Sequence, residues 1–315
     1  MQAKVIVPTV ADKLTDHYLA HHGYQVLTVA NPSQEDILRL APDAAAVMMI
    51  SKRLTNDLYD QMPNLKVLAR RGVGYDNIDV AYAASRGVWV TNTPGANARA
   101  VAEAALMDIL LLARNIPQTQ ACMQQSGWAA AYGLLGHEVG SATVGIVGFG
   151  HIGQLLAQLL TGLGARVLIY DRHPRPTPYG SFVTWDELFR RSDYVSLHLA
   201  AVPDTIHSVS AHEFGLMPEH AGLINLARGS IVDEPALIAA LQNGTIGGAA
   251  LDVFAEEPLP ADNPLWHLPN VLVTPHIGAN TEEANRTMAM TAARMIDQVL
   301  SGQRPDFPVN EPQFK

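Results

Sequence analysis

The sequence predicts an α/β protein made of two doubly wound parallel sheets. Three observations carry that expectation. Short apolar runs rich in β-branched residues alternate with helical stretches along most of the chain. A strand, a glycine loop, a helix and a second strand follow one another between Thr143 and Asp171. The 315 residues exceed what one typical hydrophobic core holds, so two domains are expected.

From the N-terminus, KVIVPTV, YQVLTVA, AAAVMMI, LKVLARR and VWVTNT are strand candidates, separated by helical stretches such as Ala11–His22 and Ile78–Ser85. No glycine-rich phosphate loop follows the first strand, so this half need not bind a nucleotide. Its fourth run ends in Arg70-Arg71-Gly72-Val73-Gly74. The glycines there read either as a tight turn or as bare backbone N–H groups able to hold a carboxylate. Next, Asn97 is placed to cap a long helix from about Ala98 to Leu112. That helix is apolar over most of its circumference and should be buried. It reads as the crossover into the second domain, and its excess apolar surface suits an interdomain core or a subunit interface.

The stretch Thr143–Asp171 is the densest in signal. Val144–Val147 reads as a buried strand, followed by Gly148, Gly150 and Gly153, an amphipathic helix to about Leu163, and a second run, Arg166–Tyr170, ending in Asp171. In such a G-x-G-x-x-G loop the first glycine allows the tight turn. The second admits a pyrophosphate to the backbone, and the third lets helix and strand pack closely. The helix N-terminus offers N–H groups and a positive dipole end to the phosphates. Asp171 lies 171 − 153 = 18 residues past the last glycine, close to the ~20 expected of an acid on a ribose 2′-OH. Dinucleotide binding is the reading; a loop of this kind alone also occurs in S-adenosylmethionine enzymes and in ordinary glycine-rich turns.

Beyond it, YVSLHLA, GLINLA, GAALDV and NVLVTP continue the strand pattern, with a helix over Glu234–Gln242. A final helix, from roughly Thr281 to Leu300, can return to the first domain. The expected organisation is therefore a substrate domain of residues 1–97 and 286–315 with a nucleotide-binding domain, 98–285, inserted in it, the two crossings forming a hinge over a cleft.

Composition narrows the partners. The chain is 48% hydrophobic and 16% charged, with a net charge of −9, which argues against nucleic acid and anionic membrane surfaces. A single cysteine, Cys122, rules out an intrachain disulfide framework and fits a reducing compartment. Asp108 and Arg114 interrupt the longest apolar run before it reaches the ~18 residues of a membrane span. The start MQAKVIVPTV carries no secretory apolar region, so a cytoplasmic protein is expected.

Ligands of doubly wound sheets sit outside the carboxyl ends of the strands. Three strands lead into chemically useful residues there: GLINLA into Arg228, GAALDVF through AEEP into Glu257, and NVLVTP into His276. Together they suit a 2-oxo acid that accepts hydride. The planar fork of Arg228 can hold a carboxylate and polarise a carbonyl. His276 can protonate the developing alkoxide. Glu257 can fix its tautomer and favour its protonated form. Singly, each also reads as a surface arginine, a solvated acid or a loop histidine.

The motifs RRGVGYDNID, NTPGAN…VAE, GIVGFGHIG…YD, NLARGSIVDEPAL, GAALDVFAEEP and TPHIGAN resemble, over nearly the whole chain, the NAD-dependent D-isomer-specific 2-hydroxyacid dehydrogenases, the phosphoglycerate dehydrogenase and hydroxypyruvate reductase group. The resemblance implies a Rossmann NAD-binding domain inserted in a flavodoxin-like substrate domain. It implies hydride transfer between NAD(H) and a D-2-hydroxy acid or 2-oxo acid such as D-3-phosphoglycerate or hydroxypyruvate, with Arg228, Glu257 and His276 as the catalytic trio. The cofactor positions it implies are Gly148, Gly150, His151, Ile152, Gly153, Asp171, Leu199, Leu226, Ala227, Asp252 and Gly278. On the substrate side it implies the backbone amides of Val73 and Gly74, with Asn97 and the Ser51-Lys52 loop close by. It implies a homodimer through the nucleotide domain, and no metal.

Several positions depart from the commoner pattern. His198-Leu199-Ala200 stands where many relatives have Thr-Pro after the histidine, and His151 replaces a frequent arginine. WAAAYG lacks the basic residues common in phosphoglycerate enzymes, and the chain stops at Lys315 without their regulatory domains. Arg70 and Arg53 remain as receivers for a substrate phosphate. Asp171 would repel a 2′-phosphate, so NAD is expected over NADP, although Arg172 and Arg175 follow closely. Rival readings are a phosphite dehydrogenase on the same scaffold and an NAD(H)-sensing corepressor-like binding protein. A formate dehydrogenase would carry glutamine where Glu257 stands.

Overall fold

The computed structural model describes residues 2–9 and 13–312. The chain divides into two compact units, Met1–Asn97 with Asn280–Lys315, and Ala98–Ala279. The contact boundary thus falls ahead of the final helix, whereas the sequence pattern placed it within that helix at 285. The reason is local: Thr281 caps the helix through a bond from Ala284 N–H, so the helix enters the first unit whole.

In the first unit, chain order is β1 (Lys4–Pro8), α1 (Lys13–His21), β2 (Gln25–Val29), α2 (Gln34–Leu40), β3 (Ala46–Met49), α3 (Asp57–Gln61), β4 (Val67–Arg70), α4 (Val80–Ser85) and β5 (Trp89–Thr91). The strands form a parallel sheet in the order β2-β1-β3-β4-β5, the flavodoxin-like order. Side chains alternate between its faces. Ile6, Val47, Leu68 and Val90 pack with Ile37, Leu58 and Ala83 on one side. Val5, Val7, Ala46, Met48, Val67 and Ala69 pack on the other with Leu19 and with residues of the final helix. A sheet buried on both faces explains why its strands read as apolar runs rather than as alternating patterns. The expected start of the first helix at Ala11, and Val10 of the first run, lie outside the described residues.

The second unit runs α5 (Ala98–Ala113), α6 (Ile116–Ser126), α7 (Trp128–Tyr132), β6 (Thr143–Val147), α8 (His151–Gly162), β7 (Arg166–Tyr170), β8 (Ser181–Phe182), α9 (Trp185–Arg191), β9 (Tyr194–Leu197), α10 (Ala211–Leu216), β10 (Gly222–Asn225), α11 (Glu234–Gln242), β11 (Gly248–Leu251) and β12 (Val271–Val273). All seven strands are parallel, in the order β12-β11-β10-β9-β6-β7-β8. This is the doubly wound order that reverses between β6 and β9, the switch point where dinucleotides bind. Val144, Ile146, Val167, Ile169 and Ile224 pack under α5 and α8. Val147, Val195, Leu197, Leu223 and Leu251 pack under α9, α10 and α11. The last helix, α12 (Glu282–Leu300), then covers the first sheet with Ala292, Ala293, Ile296 and Val299.

Two expectations need correction. Asn97 does not cap α5 through its side-chain oxygen, which is shielded and accepts no hydrogen bond. Nor is α5 buried all round: Ala105, Ile109 and Leu112 face the core, but Met107 and Leu110 are exposed. Exposed apolar side chains follow along the next segments at Ile116, Met123, Trp128, Tyr132 and Leu135.

The loop after β6 depends on two bare α-carbons. Gly148 has φ +97° and a Cβ there would sit 2.5 Å from the carbonyl oxygen of His198. At Gly153 a Cβ would meet the Gly148 carbonyl oxygen at 2.2 Å. Both obstacles are backbone, which cannot rotate away. Gly162, in the last turn of α8, faces open space instead. We expect Gly153→Ala to destabilise the protein by about 1–3 kcal/mol, the usual cost of overpacking, and Gly162→Ala to stabilise it by about 0.5–1 kcal/mol. Urea unfolding of the two variants checks both signs.

Candidate active site

The C-terminal end of β6 opens into the glycine loop, and α8 begins at His151 with Gly150 as its cap residue and no side-chain cap bond. The first N–H groups of α8 are therefore not claimed by a side chain, and above Gly150 there is open space where a Cβ would point. That suits a pyrophosphate resting on the loop and helix N-terminus. Asp171, at the end of β7, accepts from Phe149 N–H at 2.7 Å through Oδ2 and from His173 N–H at 2.8 Å through Oδ1. Its carboxylate is thus fixed against the loop, with lone pairs left for ribose hydroxyls. Arg175 donates to the Phe149 carbonyl and stacks 5.5 Å from the Phe149 ring. It is tied to this loop, while Arg172 pairs with Asp204 at 3.7 Å. His151 is exposed, Ile152 packs on the core, and Leu199 lies against Gly148. Beneath the loop, burial pushes the His198 imidazole down to about 4, so it is neutral, in contact with Ser196 Oγ at 3.0 Å.

Three strand ends supply the chemistry. After β10, Asn225 organises the turn: it accepts from Ala227 N–H and donates to the Arg228 carbonyl, both at 3.0 Å. Arg228 Nη1 donates to the Ala227 carbonyl at 2.7 Å. After β11, Glu257 accepts from Phe254 N–H at 3.1 Å through Oε1 and meets His276 Nδ1 at 2.8 Å through Oε2. Burial alone would raise the Glu257 acid. The hydrogen bond and charge of His276, the Phe254 N–H and the charge of Arg228 outweigh it and hold it below the usual carboxylate range. Glu257 is therefore an anion, an acceptor only, so Nδ1 of His276 carries hydrogen and Nε2 is the atom left for proton transfer. His276 itself sits at φ +55°, a left-handed backbone that non-glycine residues adopt at some cost. Glu257 thus touches His276, and the Arg228 charge acts on Glu257.

What holds that backbone is Asp252, only 2% exposed. Its Oδ1 accepts from Thr274 Oγ1 at 2.6 Å and Ile277 N–H at 2.8 Å, and its Oδ2 accepts from Gly278 N–H at 2.7 Å. Gly278 is buried, its α-carbon close to Leu226 and to Asp252 Oδ2, and Ala227 packs on the cluster under α9, α10 and α11. The sequence reading missed a second acid in this neighbourhood. Asp108, on α5, is also 2% exposed, and its Oδ1 accepts no hydrogen bond. The signal was present: an acid in the middle of an otherwise apolar helix.

The remaining site residues lie in the first unit. Val73 is exposed and Gly74 half-buried in the turn after β4; the Val73 carbonyl accepts from Asn92 Nδ2 at 2.8 Å. Ser51 and Lys52 are exposed, and the Lys52 carbonyl accepts from Asn77 Nδ2 at 3.0 Å. Arg70 folds back over Gly72 and donates to the Arg71 carbonyl. Arg71 is the buried arginine of the pair and donates to Asn285 at 2.7 Å. Arg53 lines a separate surface groove with Gln34, Leu38 and Arg39.

Residues 106–278 match the model of the D-isomer specific 2-hydroxyacid dehydrogenase, NAD binding domain, family. The chain is 38% identical over 293 residues to a glyoxylate reductase of Thermofilum pendens, covering 90% of this chain and 86% of that protein. It is 37% identical over 315 residues to a D-3-phosphoglycerate dehydrogenase of Synechocystis, of whose length it spans 56%. Among solved structures, the D-lactate dehydrogenase with NAD+ from Lactobacillus jensenii is similar with a TM-score of 0.84 at 30% identity, covering 98% of this chain and 100% of that one.

Replacing Asp252 by Asn turns one acceptor oxygen into a donor facing donors. Asp252→Asn should destabilise the chain by about 1–3 kcal/mol, the penalty for unsatisfied buried groups, read as a lower urea midpoint. An unchanged midpoint would mean that these three bonds add nothing net to stability.

Proposed function

The chain belongs to the D-isomer specific 2-hydroxyacid dehydrogenase family, and on that premise we propose that it reduces small 2-oxo acids, glyoxylate or hydroxypyruvate, to their D-2-hydroxy acids. The activity class is that of an NAD-dependent oxidoreductase. The observation that carries the mechanistic reading is the 2.8 Å contact between His276 Nδ1 and Glu257 Oε2 at adjacent strand ends. When bound, NADH supplies the hydride that reaches the carbonyl carbon. Gly148, Gly150 and the first N–H groups of α8 hold its pyrophosphate, Asp171 its adenosine ribose. His151, Ile152, Gly153, Leu199, Leu226, Ala227, Asp252 and Gly278 complete its surroundings.

The chain's own residues do the rest. Arg228 binds the substrate and draws charge onto its carbonyl oxygen, which lowers the barrier to addition at carbon. His276 Nε2 gives its proton to that oxygen as it becomes an alkoxide, and Glu257 compensates the imidazolium while it is charged. In the reverse direction the same nitrogen takes the hydroxyl proton. Val73, Gly74, Asn97, Ser51, Lys52 and Arg70 are assigned to the substrate side. Small uncharged-tail acids are favoured over phosphoglycerate because Arg70 is already engaged with the Arg71 carbonyl and WAAAYG offers no cation. Asp171 favours NAD over NADP. The setting proposed is the cytoplasm, and the assembly a homodimer built on the outward apolar surface of α5–α7.

His276→Gln is expected to cut kcat for glyoxylate reduction by about 10²–10⁴-fold, the usual worth of a general acid, with NADH affinity unchanged. Turnover equal to the parent chain would remove His276 from the mechanism. A panel of glyoxylate, hydroxypyruvate, pyruvate and phosphohydroxypyruvate ranks the substrates; highest kcat/KM on the phosphorylated acid would reverse the substrate choice. For the assembly, light scattering should give twice the 34.0 kDa chain mass for the parent, and a single chain mass for Trp128→Glu combined with Leu135→Glu.

A further inference from the structure

One buried carboxylate, Asp252, holds the turn that carries His276, and a second, Asp108, is buried on the helix packed over the strand that leads into it. Asp252 takes three hydrogen bonds from Thr274, Ile277 and Gly278. Asp108 approaches from α5, which packs against the sheet over β10 and β11. It is as deeply buried as Asp252, and its Oδ1 has no hydrogen-bond partner. A carboxylate ion in such a place would keep one oxygen away from water with no donor, which disfavours the charged form. Asp252 has the donors and so is the anion; Asp108 is the one that keeps the proton.

We propose that Asp108 is a positioning residue for this active site: uncharged, it leaves Asp252 as the sole buried anion holding the His276 turn, and on losing its proton it weakens that turn and NADH binding with it. The inference rests on the reading that the turn after β12 borders the bound dinucleotide.

The groups around Asp108 support a pairwise account. Of the elements packed on α5, α8 brings His151 at its exposed first turn and α6 brings the half-buried Cys122. The short turn at Val139–Ser141 follows the exposed Glu138, β10 carries no titratable residue and leads to Arg228, and β11 leads into Asp252. On α5 itself Arg99 and Glu103 pair at the surface, and Arg114, just past its end, is exposed. Asp252 is the one buried charge among them. Burial first, and then repulsion from Asp252, push the Asp108 acid up to about 7. The sign follows. Below that value the pair carries one charge, matched by the three donors. Above it the pair carries two, in a space that supplies donors for one. The same excess charge opposes an anionic dinucleotide.

The test is NADH affinity by fluorescence titration from about pH 6 to about pH 8.5 for the parent chain and for Asp108→Asn, an uncharged isostere, with glyoxylate reduction followed in parallel. For the parent we expect Kd to rise about fivefold or more across the range, a coupling of ordinary size, with a midpoint near neutrality. For D108N we expect Kd to stay at the parent's low-pH value throughout. Asp108→Leu, which removes charge and hydrogen bonding together, provides the same comparison should the amide fail to fold, and should also be flat. A variant that merely repacked the helix would shift Kd equally at every pH. A D108N or D108L curve with the parent's pH dependence, or a parent curve that is flat, overturns the inference alone. A parent chain that neither binds NADH nor reduces a 2-oxo acid overturns the functional reading and the inference together.

Discussion

The carboxylate of Asp252 is the interaction on which the catalytic end of the second unit depends. The chain leaves β12 and turns sharply, which would strand the N–H groups of Ile277 and Gly278 in a buried place. Asp252 receives both, and the Thr274 hydroxyl as well. In doing so it fixes His276 in a left-handed backbone that brings Nδ1 onto Glu257. The imidazole orientation is therefore determined from below, by a residue that does not touch it. Positional accuracy of this kind is what proton transfer requires, since a misplaced acid loses most of its effect.

The cofactor end follows the same logic with backbone rather than side chains. Gly148 and Gly153 admit carbonyl oxygens of His198 and Gly148 where any Cβ would collide. Asp171 then locks the loop by accepting from Phe149 N–H. Steric permission comes from the glycines, and the hydrogen bond selects one arrangement among those permitted. The acid expected to meet the ribose is thus also the residue that shapes the loop for the pyrophosphate.

Most of this architecture was readable in advance because parallel strands buried on both faces appear as unbroken apolar runs, and all the long ones were found. Helices with clear caps were placed well: α11 and α12 begin close to where the sequence set them, with Asp233 and Thr281 accepting cap bonds. The short helices α3, α7 and α10 and the two-residue β8 have little periodicity to offer. The helix α9 carries a Thr184–Glu187 capping box, a signal the sequence reading did not use. At Asn97 the local signal misled, because a residue type suited to capping does not ensure that its oxygen turns to the helix. The trio Arg228, Glu257 and His276 was legible as chemistry at strand ends. The roles of Asn225, which shapes the Arg228 turn, and of Asp108 were not, since both act through tertiary neighbours that spacing along the chain does not reveal.

The discontinuity of the first unit has a bearing on synthesis. Its sheet face of Val5, Val7, Ala46, Met48, Val67 and Ala69 is covered by α12. Its edge strand β5 is joined by the segment near Pro308 through a bridge at Thr91 and a bond from Val309 N–H to the Val90 carbonyl. A ribosome delivers these covers only after the whole of residues 98–279 has emerged. The nascent first unit therefore waits with an oily face bare while its neighbour, complete in one continuous stretch, is free to fold. This reverses the usual N-terminal-first order of assembly, since the first unit can close its sheet only after the second has been made.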